Sequence, residues 1–272
     1  MPACPFYKFS PNGNITILIP QSAVPAEKRA AAARALMAPG HVQAEQVGYV
    51  DMDAPRLDMA GGEFCVNATR AFGALLAHTR GAEDVDAAVA VSGMPEPVRV
   101  RAQGRCPHWR VTATLTLPQL PPCETLDAGL TLVRVPGIDH LLLDETLHPF
   151  PQDWAAAAAH LRHRWGLGRD GAAGCIWWRE TPEGLRMTPV VWVAEPGSTV
   201  LENACGSGAL ACACGLPRVR SHAEEKTVAI LQPDDTPLFL RLRKKAHSWR
   251  ADIGGDVLLI ADGKAYWEDV DA

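Results

Sequence analysis

No apolar run in this 272-residue chain approaches the ~20 residues needed to cross a bilayer. Its N-terminus also lacks the charged-then-apolar form of a signal peptide. These absences predict a cytoplasmic protein with no membrane partner. Strong charge is missing too: the formal net charge is −5, which leaves no electrostatic footprint for nucleic acid. The one basic cluster, Arg241-Leu242-Arg243-Lys244-Lys245, alternates with apolar residues and reads as the solvated face of a strand end. The eight cysteines form no CxxC pair and no zinc-ribbon or zinc-finger spacing, so no metal site is expected. In a reducing cytosol they are expected to stay free thiols.

What remains is ordinary globular composition, 47% hydrophobic and 21% charged, long enough for two modest domains. Strands are predicted at Pro5 to Phe9 and Ile15 to Ile19, joined by a Pro-Asn-Gly-Asn turn that signals a hairpin. An Ala-rich helix from Pro25 to Met37 ends at Pro39-Gly40, and a strand covers Gln46 to Met52. A buried helix from Ala68 to His78 precedes strands at 87–92, 97–102 and 109–117. Pro118 to Pro122, with three prolines, marks a linker. The grammar then repeats. Strands are predicted at 130–135 and 140–143, a helix at 153–165, strands at 174–179 and 187–193, and a helix at 208–215. Strands at 227–232, 237–243, 248–253 and 256–260 complete the chain. An internal duplication accounts for this order. The expected division is residues 1–118, joined by the C-terminal strand 256–272, and residues 119–255.

Two segments look like copies of one another: Glu63-Phe64-Cys65-Val66-Asn67-Ala68-Thr69-Arg70 and Asn203-Ala204-Cys205-Gly206-Ser207-Gly208-Ala209. Each sets a cysteine just before an Ala-rich helix. There the unpaired N–H groups and the helix dipole favour an anion, either a thiolate or a bound carboxylate. The glycines around Ser207 permit close backbone approach. Cys4, Cys106, Cys123, Cys212 and Cys214 read as small buried hydrophobes. His160 and His163 lie three apart on a helix with no zinc-protease pattern and read as surface residues. Arg70 either orients the first cysteine loop or forms a structural ion pair.

Cys65-Val66-Asn67-Ala68-Thr69-Arg70 and Ala204-Cys205-Gly206-Ser207-Gly208-Ala209 resemble the two cysteine motifs of the diaminopimelate epimerase-like superfamily. Asn12-Gly13-Asn14 is similar to that family's Gly-Asn turn after the first strand. The resemblance spans the whole chain. It implies an α+β fold of two pseudo-symmetric domains, each a curled, barrel-like, mostly antiparallel sheet around a central helix, with the active site in the cleft between them. It also implies a cofactor-independent amino-acid racemase or epimerase acting on a small-molecule substrate, with a homodimer as the candidate assembly. Cys65 and Cys205 would work as acid and base on opposite faces of the α-carbon. The Val66, Asn67, Gly206 and Ser207 amides would support the carbanion, and Asn14 would join the substrate-binding set. No lysine stands in a pyridoxal-phosphate setting, and none is needed.

The chain departs from diaminopimelate epimerases where those enzymes hold the distal end of their substrate. Their Gly-Asn-Pro-His stretch matches Gly137-Ile138-Asp139-His140. An expected asparagine is replaced near Cys175-Ile176-Trp177, and Glu-Arg-Gly becomes Glu195-Pro196-Gly197. A buried distal carboxylate without its arginine would be an unpaired charge, which argues against diaminopimelate. Trp177 and Trp178 stand there instead. Only one of the two can face the cleft, and Trp177 is the expected substrate contact. Gly61-Gly62-Glu63-Phe64-Cys65 resembles the histidine racemase branch, which serves opine metallophore synthesis and uses a glutamate upstream of the first cysteine for the imidazole. Glu45 is the positional match. The remaining alternatives are a diaminopimelate or hydroxyproline-type epimerase, a non-catalytic binding module and a thiol redox protein.

Overall fold

The computed structural model describes residues 2–169, 171–194 and 197–268. Glu195 and Pro196, part of the Glu195-Pro196-Gly197 comparison, lie outside the described residues, as does the end of the expected terminal strand. The strands of the first half are β1 (Ala3–Pro11), β2 (Thr16–Pro20), β3 (Gln46–Asp51), β4 (Arg56–Met59), β5 (Asp84–Val91), β6 (Val98–Arg105) and β7 (His108–Leu117). Those of the second are β8 (Cys123–Asp127), β9 (Leu130–Val135), β10 (Ile138–Asp144), β11 (Ala172–Thr181), β12 (Gly184–Val193), β13 (Ser198–Leu201), β14 (Val228–Leu231), β15 (Pro237–Lys244) and β16 (Trp249–Tyr266). Between them run α1 (Arg29–Met37), α2 (Val66–Arg80), α3 (Trp154–Trp165), α4 (Gly206–Gly215) and α5 (Pro217–Glu225).

The fold is α+β. Strands β1 to β7 are neighbours in chain order, and β16 pairs with both β7 and β1, closing an eight-stranded barrel. The sheet continues from β16 through β15, β14, β12, β11, β10 and β9 to β8. Strand directions show the duplication. From β1 to β7 the pairings run antiparallel, parallel, antiparallel, parallel, antiparallel, antiparallel. From β9 through β10, β11, β12, β14 and β15 to β16 they run in the same order. Helices α1 and α3 occupy one pair of matching crossovers, while α2 and α4 occupy the other. Both α2 and α4 are buried nearly all round, as a helix enclosed by a curled sheet must be. The opening hairpin turns through Asn12 and Gly13, both at positive φ, as a primed turn demands.

Two strands expected at 248–253 and 256–260 are one strand, β16. Gly254-Gly255 reads as a break, but it serves close approach instead. A Cβ on Gly255 would lie 2.2 Å from Asn12 Oδ1 and 2.8 Å from an Arg70 guanidinium nitrogen. That space admits Arg70, which is fully buried and makes no carboxylate ion pair through its side chain. Its donors reach Asn12 Oδ1 (2.6 Å), the carbonyls of Asp256 (3.0 Å) and Val111 (3.2 Å), and Asn67 Oδ1 (3.4 Å). Asn67 in turn donates to Ala204 O at 2.7 Å, across to the second cysteine segment. Arg70 therefore orients the first cysteine loop, one of the two roles left open by the sequence. The four acceptors offset the cost of burying its charge.

Trp177 does not face the cleft. It is buried on the outer side of β11, beneath α3, with Phe150 edge-on at 5.2 Å. Trp178, on the opposite face, packs against the main core. His160 and His163 are exposed on α3, and no metal-binding group of three or more ligands occurs among the described residues.

Candidate active site

Cys65 and Cys205 are the N-cap residues of α2 and α4. Each has extended backbone, and each Sγ accepts the N–H three residues on, from Ala68 at 3.3 Å and Gly208 at 3.4 Å. The two helices meet end to end. A Cβ on Gly206 would lie 2.6 Å from Val66 Cβ, so the valine is accommodated by a glycine opposite it. Around this junction is a cleft lined by both cysteines, by Val66, Asn67, Gly206 and Ser207, and by Glu45, Gln46, Glu63 and Glu202. Its apolar wall comprises Met37 and Val47 on one side and Val191, Val193 and Val200 on the other. Of the residues expected from the sequence, Trp177 is absent from this cleft, for the packing reason given above. Asn14 is fully buried behind it. Its Nδ2 donates to Glu45 at 3.0 Å, and its Oδ1 accepts from Gln46 Nε2. Asn14 thus supports two cleft residues and does not line the cleft itself.

The thiols sit in different settings. Cys65 Sγ–H donates to Gln46 Oε1 at 2.9 Å, with the Gln46 amide held by Asn14 and Thr16. Such a partner favours the protonated form. Cys205 Sγ lies 3.5 Å from Ser207 Oγ, which is 2.9 Å from His140 Nε2. His140 is buried against Gly174, where a Cβ would lie 2.3 Å from Nδ1. That nitrogen has no partner, and burial lowers the imidazole pKa to about 3. The neutral ring therefore donates Nε2–H to Ser207, leaving the serine hydroxyl free to donate to Cys205. Gln232 Oε1 holds the Cys205 N–H at 2.9 Å.

Burial pushes both cysteine pKa values well above the ordinary thiol range, and the charge of Glu202 adds to this. Glu45 is also raised by burial, against the pull of its N–H partners. Its two oxygens accept from Ile15 N, Asn14 Nδ2, Asn203 N and Asn203 Nδ2, at 2.8 to 3.2 Å. It ties the first hairpin to the second cysteine segment. Glu63 is raised to about 7 by burial. Glu202 is raised to about 8, first by burial and then by the charge of Glu45. Gln46, Glu63, Glu202 and Gln232 escape sequence reasoning, because single polar residues carry no local signal until the fold buries them together. His140 is visible only as one member of a departing motif.

The family model for the histidine racemase CntK N-terminal domain matches residues 3–266. The chain is similar to a histidine racemase of Fusobacterium nucleatum subsp. nucleatum, 28% identical over 270 residues and covering 96% of each chain. A histidine racemase of Staphylococcus aureus is 28% identical over 273 residues, with 97% of each covered. In structure the chain is similar to a hydroxyproline epimerase from Agrobacterium vitis with bound trans-4-hydroxy-L-proline. That likeness has a TM-score of 0.69 and 13% identity, and it covers 99% of this chain and 94% of the other.

Two outcomes follow from this geometry. Gly206→Ala drives a methyl group into Val66 and should reduce turnover by about 100-fold, the scale of an ångström-level misplacement. Adding Val66→Gly should restore much of it, as read from kcat in the single and double variants. Glu63 and Glu202 bind their protons more tightly folded than unfolded. Their contribution is therefore fully present below the ordinary carboxyl value of 4.5 and is lost as pH rises from there through about 7 and about 8. The melting temperature should fall across that rise, and Glu202→Gln should flatten the fall.

Proposed function

The chain belongs to the family described as the histidine racemase CntK N-terminal domain and is an amino-acid racemase; from that premise we propose that it inverts the α-carbon of histidine with Cys65 and Cys205 as the two acid/base groups. The observation that carries the mechanism is the end-to-end meeting of two cysteine-capped helices in one cleft. Two N-termini, each with unpaired N–H groups and a positive dipole end, converge where a substrate carboxylate and the charge of its deprotonated form would lie.

The substrate completes the electrostatics. Both thiols resist ionisation because they are buried, so a thiolate forms most readily once the substrate's ammonium group brings positive charge beside it. Glu202, whose charge acts on both cysteines, is the carboxyl group that would receive that ammonium. In one direction Cys205 starts as the thiolate, receiving hydrogen bonds from Ser207 Oγ and Gly208 N–H. It takes the α-proton, and the electron pair stays on the α-carbon, delocalised into the carboxylate under the helix amides. Cys65, held as a thiol by Gln46, delivers its proton to the opposite face and becomes the thiolate. The reverse reaction exchanges the roles. No redox change occurs, and the residues alone can carry the step without a cofactor.

Glu45 adds a fixed negative charge to the cleft while holding Asn203 in place. The free thiols this chemistry needs accord with a cytoplasmic protein. No helix among the described residues is long and apolar enough to cross a membrane. A homodimer remains the candidate assembly in this reading.

The test is incubation of the purified, reduced protein with L-histidine in heavy water, following the α-proton signal by NMR without pyridoxal phosphate. Wild type should lose the signal and form D-histidine, while Cys65→Ala and Cys205→Ala should each lower racemisation by at least 1,000-fold, as expected when one member of an acid/base pair is removed. Absence of exchange with histidine would remove the substrate assignment. Racemisation at wild-type rate in either variant would remove the two-cysteine mechanism.

A further inference from the structure

Where the two halves meet, one sheet face carries a charged groove that shares no lining residue with the cleft. Two lines of side chains cross β15, β16, β7 and β6 there. Arg241, Asp252, Thr114 and Arg99 are cross-strand partners in the first line. Phe239, Gly254, Thr112 and Arg101 make the second. Both lines border a shallow groove of about 530 Å³. Successive residues of β16 face opposite sides of the sheet, so Gly255 makes room for Arg70 while Gly254 opens the groove. A Cβ on Gly254 would lie 2.8 Å from Thr112 Oγ1, and its absence leaves that hydroxyl at the floor.

The groove gathers five guanidinium groups, from Arg99, Arg101, Arg241, Arg243 and Arg250. Asp86 pairs with Arg99, Asp84 with Arg101, and Asp252 with both Arg243 and Arg250. Five cations against three carboxylates leave two positive charges in excess. Arg241 is the group left over. It stands directly opposite Asp252, yet both oxygens of that carboxylate are taken. Oδ1 accepts from Thr114 Oγ1 at 2.7 Å and from Arg250 Nε at 3.0 Å, and Oδ2 accepts from Arg243. The Arg241 side chain is half-buried, not solvated like the rest of its basic run, and its buried Nε has no hydrogen-bond partner among the described residues. A buried charged donor without an acceptor is costly, so a ligand that belongs here brings one.

We propose that this groove binds a multivalent oxyanion, an organic diphosphate or a polycarboxylate, with Arg241 as the principal contact and Thr112 Oγ1 as a floor contact. Guanidinium forks match phosphate and carboxylate oxygens in pairs. A monovalent anion would leave part of the excess charge unbalanced. Arg241 and Arg101 stand on strands three spacings apart, about 14 Å across the sheet, a span that two long side chains narrow by leaning inward. A ligand with two anionic ends therefore reaches both. A second copy of this chain is a poor occupant, because a two-fold contact through this face would set arginines against arginines.

The experiment titrates the purified full chain with sodium pyrophosphate and, separately, with sodium citrate. Binding is read by calorimetry in about 0.15 M sodium chloride, which screens diffuse surface attraction. Wild type should bind at least one probe saturably with a Kd below about 1 mM, and the tighter of the two tells a phosphate ligand from a carboxylate one. Arg241→Gln should weaken that binding by about tenfold or more, the scale of one charged hydrogen bond. Thr112→Val, which keeps the shape and removes the hydroxyl, should weaken it by about threefold. Arg56→Gln, on β4 outside the groove, should leave the affinity unchanged. Absence of saturable binding of both probes to wild type overturns the proposal without any variant. So does an Arg241→Gln protein that melts as wild type does and binds as tightly, because the anion would then sit elsewhere. Equal weakening by Arg56→Gln and Arg241→Gln overturns it too, since overall charge alone would explain the attraction.

Discussion

The site depends on two helix N-termini held end to end. Each carries a positive dipole end and unpaired N–H groups, so the pair repels unless something compensates. Three features do so. Cys65 and Cys205 turn polarisable sulfur atoms onto the first-turn amides. Asn67 reaches from one helix to the Ala204 carbonyl ahead of the other. Glu45, Glu63 and Glu202 surround the junction with carboxyl groups. What remains unfilled is a place for an anion between the helices and for cationic or N–H groups beside the carboxyls. A zwitterionic amino acid supplies both kinds of charge at once.

The barrel and its partial copy serve this junction. Because the pairing order repeats, α2 and α4 enter their halves in equivalent positions, and β16 runs through both. Buried Arg70 links the first hairpin, β7, β16 and Asn67 through neutral acceptors alone. Gly255 exists as glycine because Asn12 and Arg70 occupy the space of its side chain. A rigid frame of this kind keeps two sulfur atoms aimed at one carbon, which proximity-based catalysis requires.

Much of this is legible in the sequence because N-caps are local signals. Cys65 and Cys205 carry their meaning in the next three residues, and the Asn12-Gly13 hairpin carries its own. The Gly254-Gly255 pair misleads, since a glycine that admits a neighbouring side chain looks the same as one that ends a strand. Trp177 misleads for a related reason: alternation along β11 is readable, but which face meets α3 is decided by tertiary packing. Asn14 lies at the right turn but one layer behind the cleft. Glu63 and Glu202 show nothing in isolation. Their chemistry comes from burial, to which the charges of Glu45 and Glu63 add at Glu202, and only the folded chain creates it.

The central claim is that two different sulfur atoms serve the two faces of the α-carbon. It is tested most directly by the isotopic content of each enantiomer at low conversion of L-histidine in heavy water. Two separate acid/base groups predict that the D-histidine formed first carries α-deuterium while the remaining L-histidine keeps its protium, so that optical activity overshoots zero before settling. Equal deuterium in both enantiomers from the first turnovers, with no overshoot, would mean that a single group serves both faces and would contradict the account.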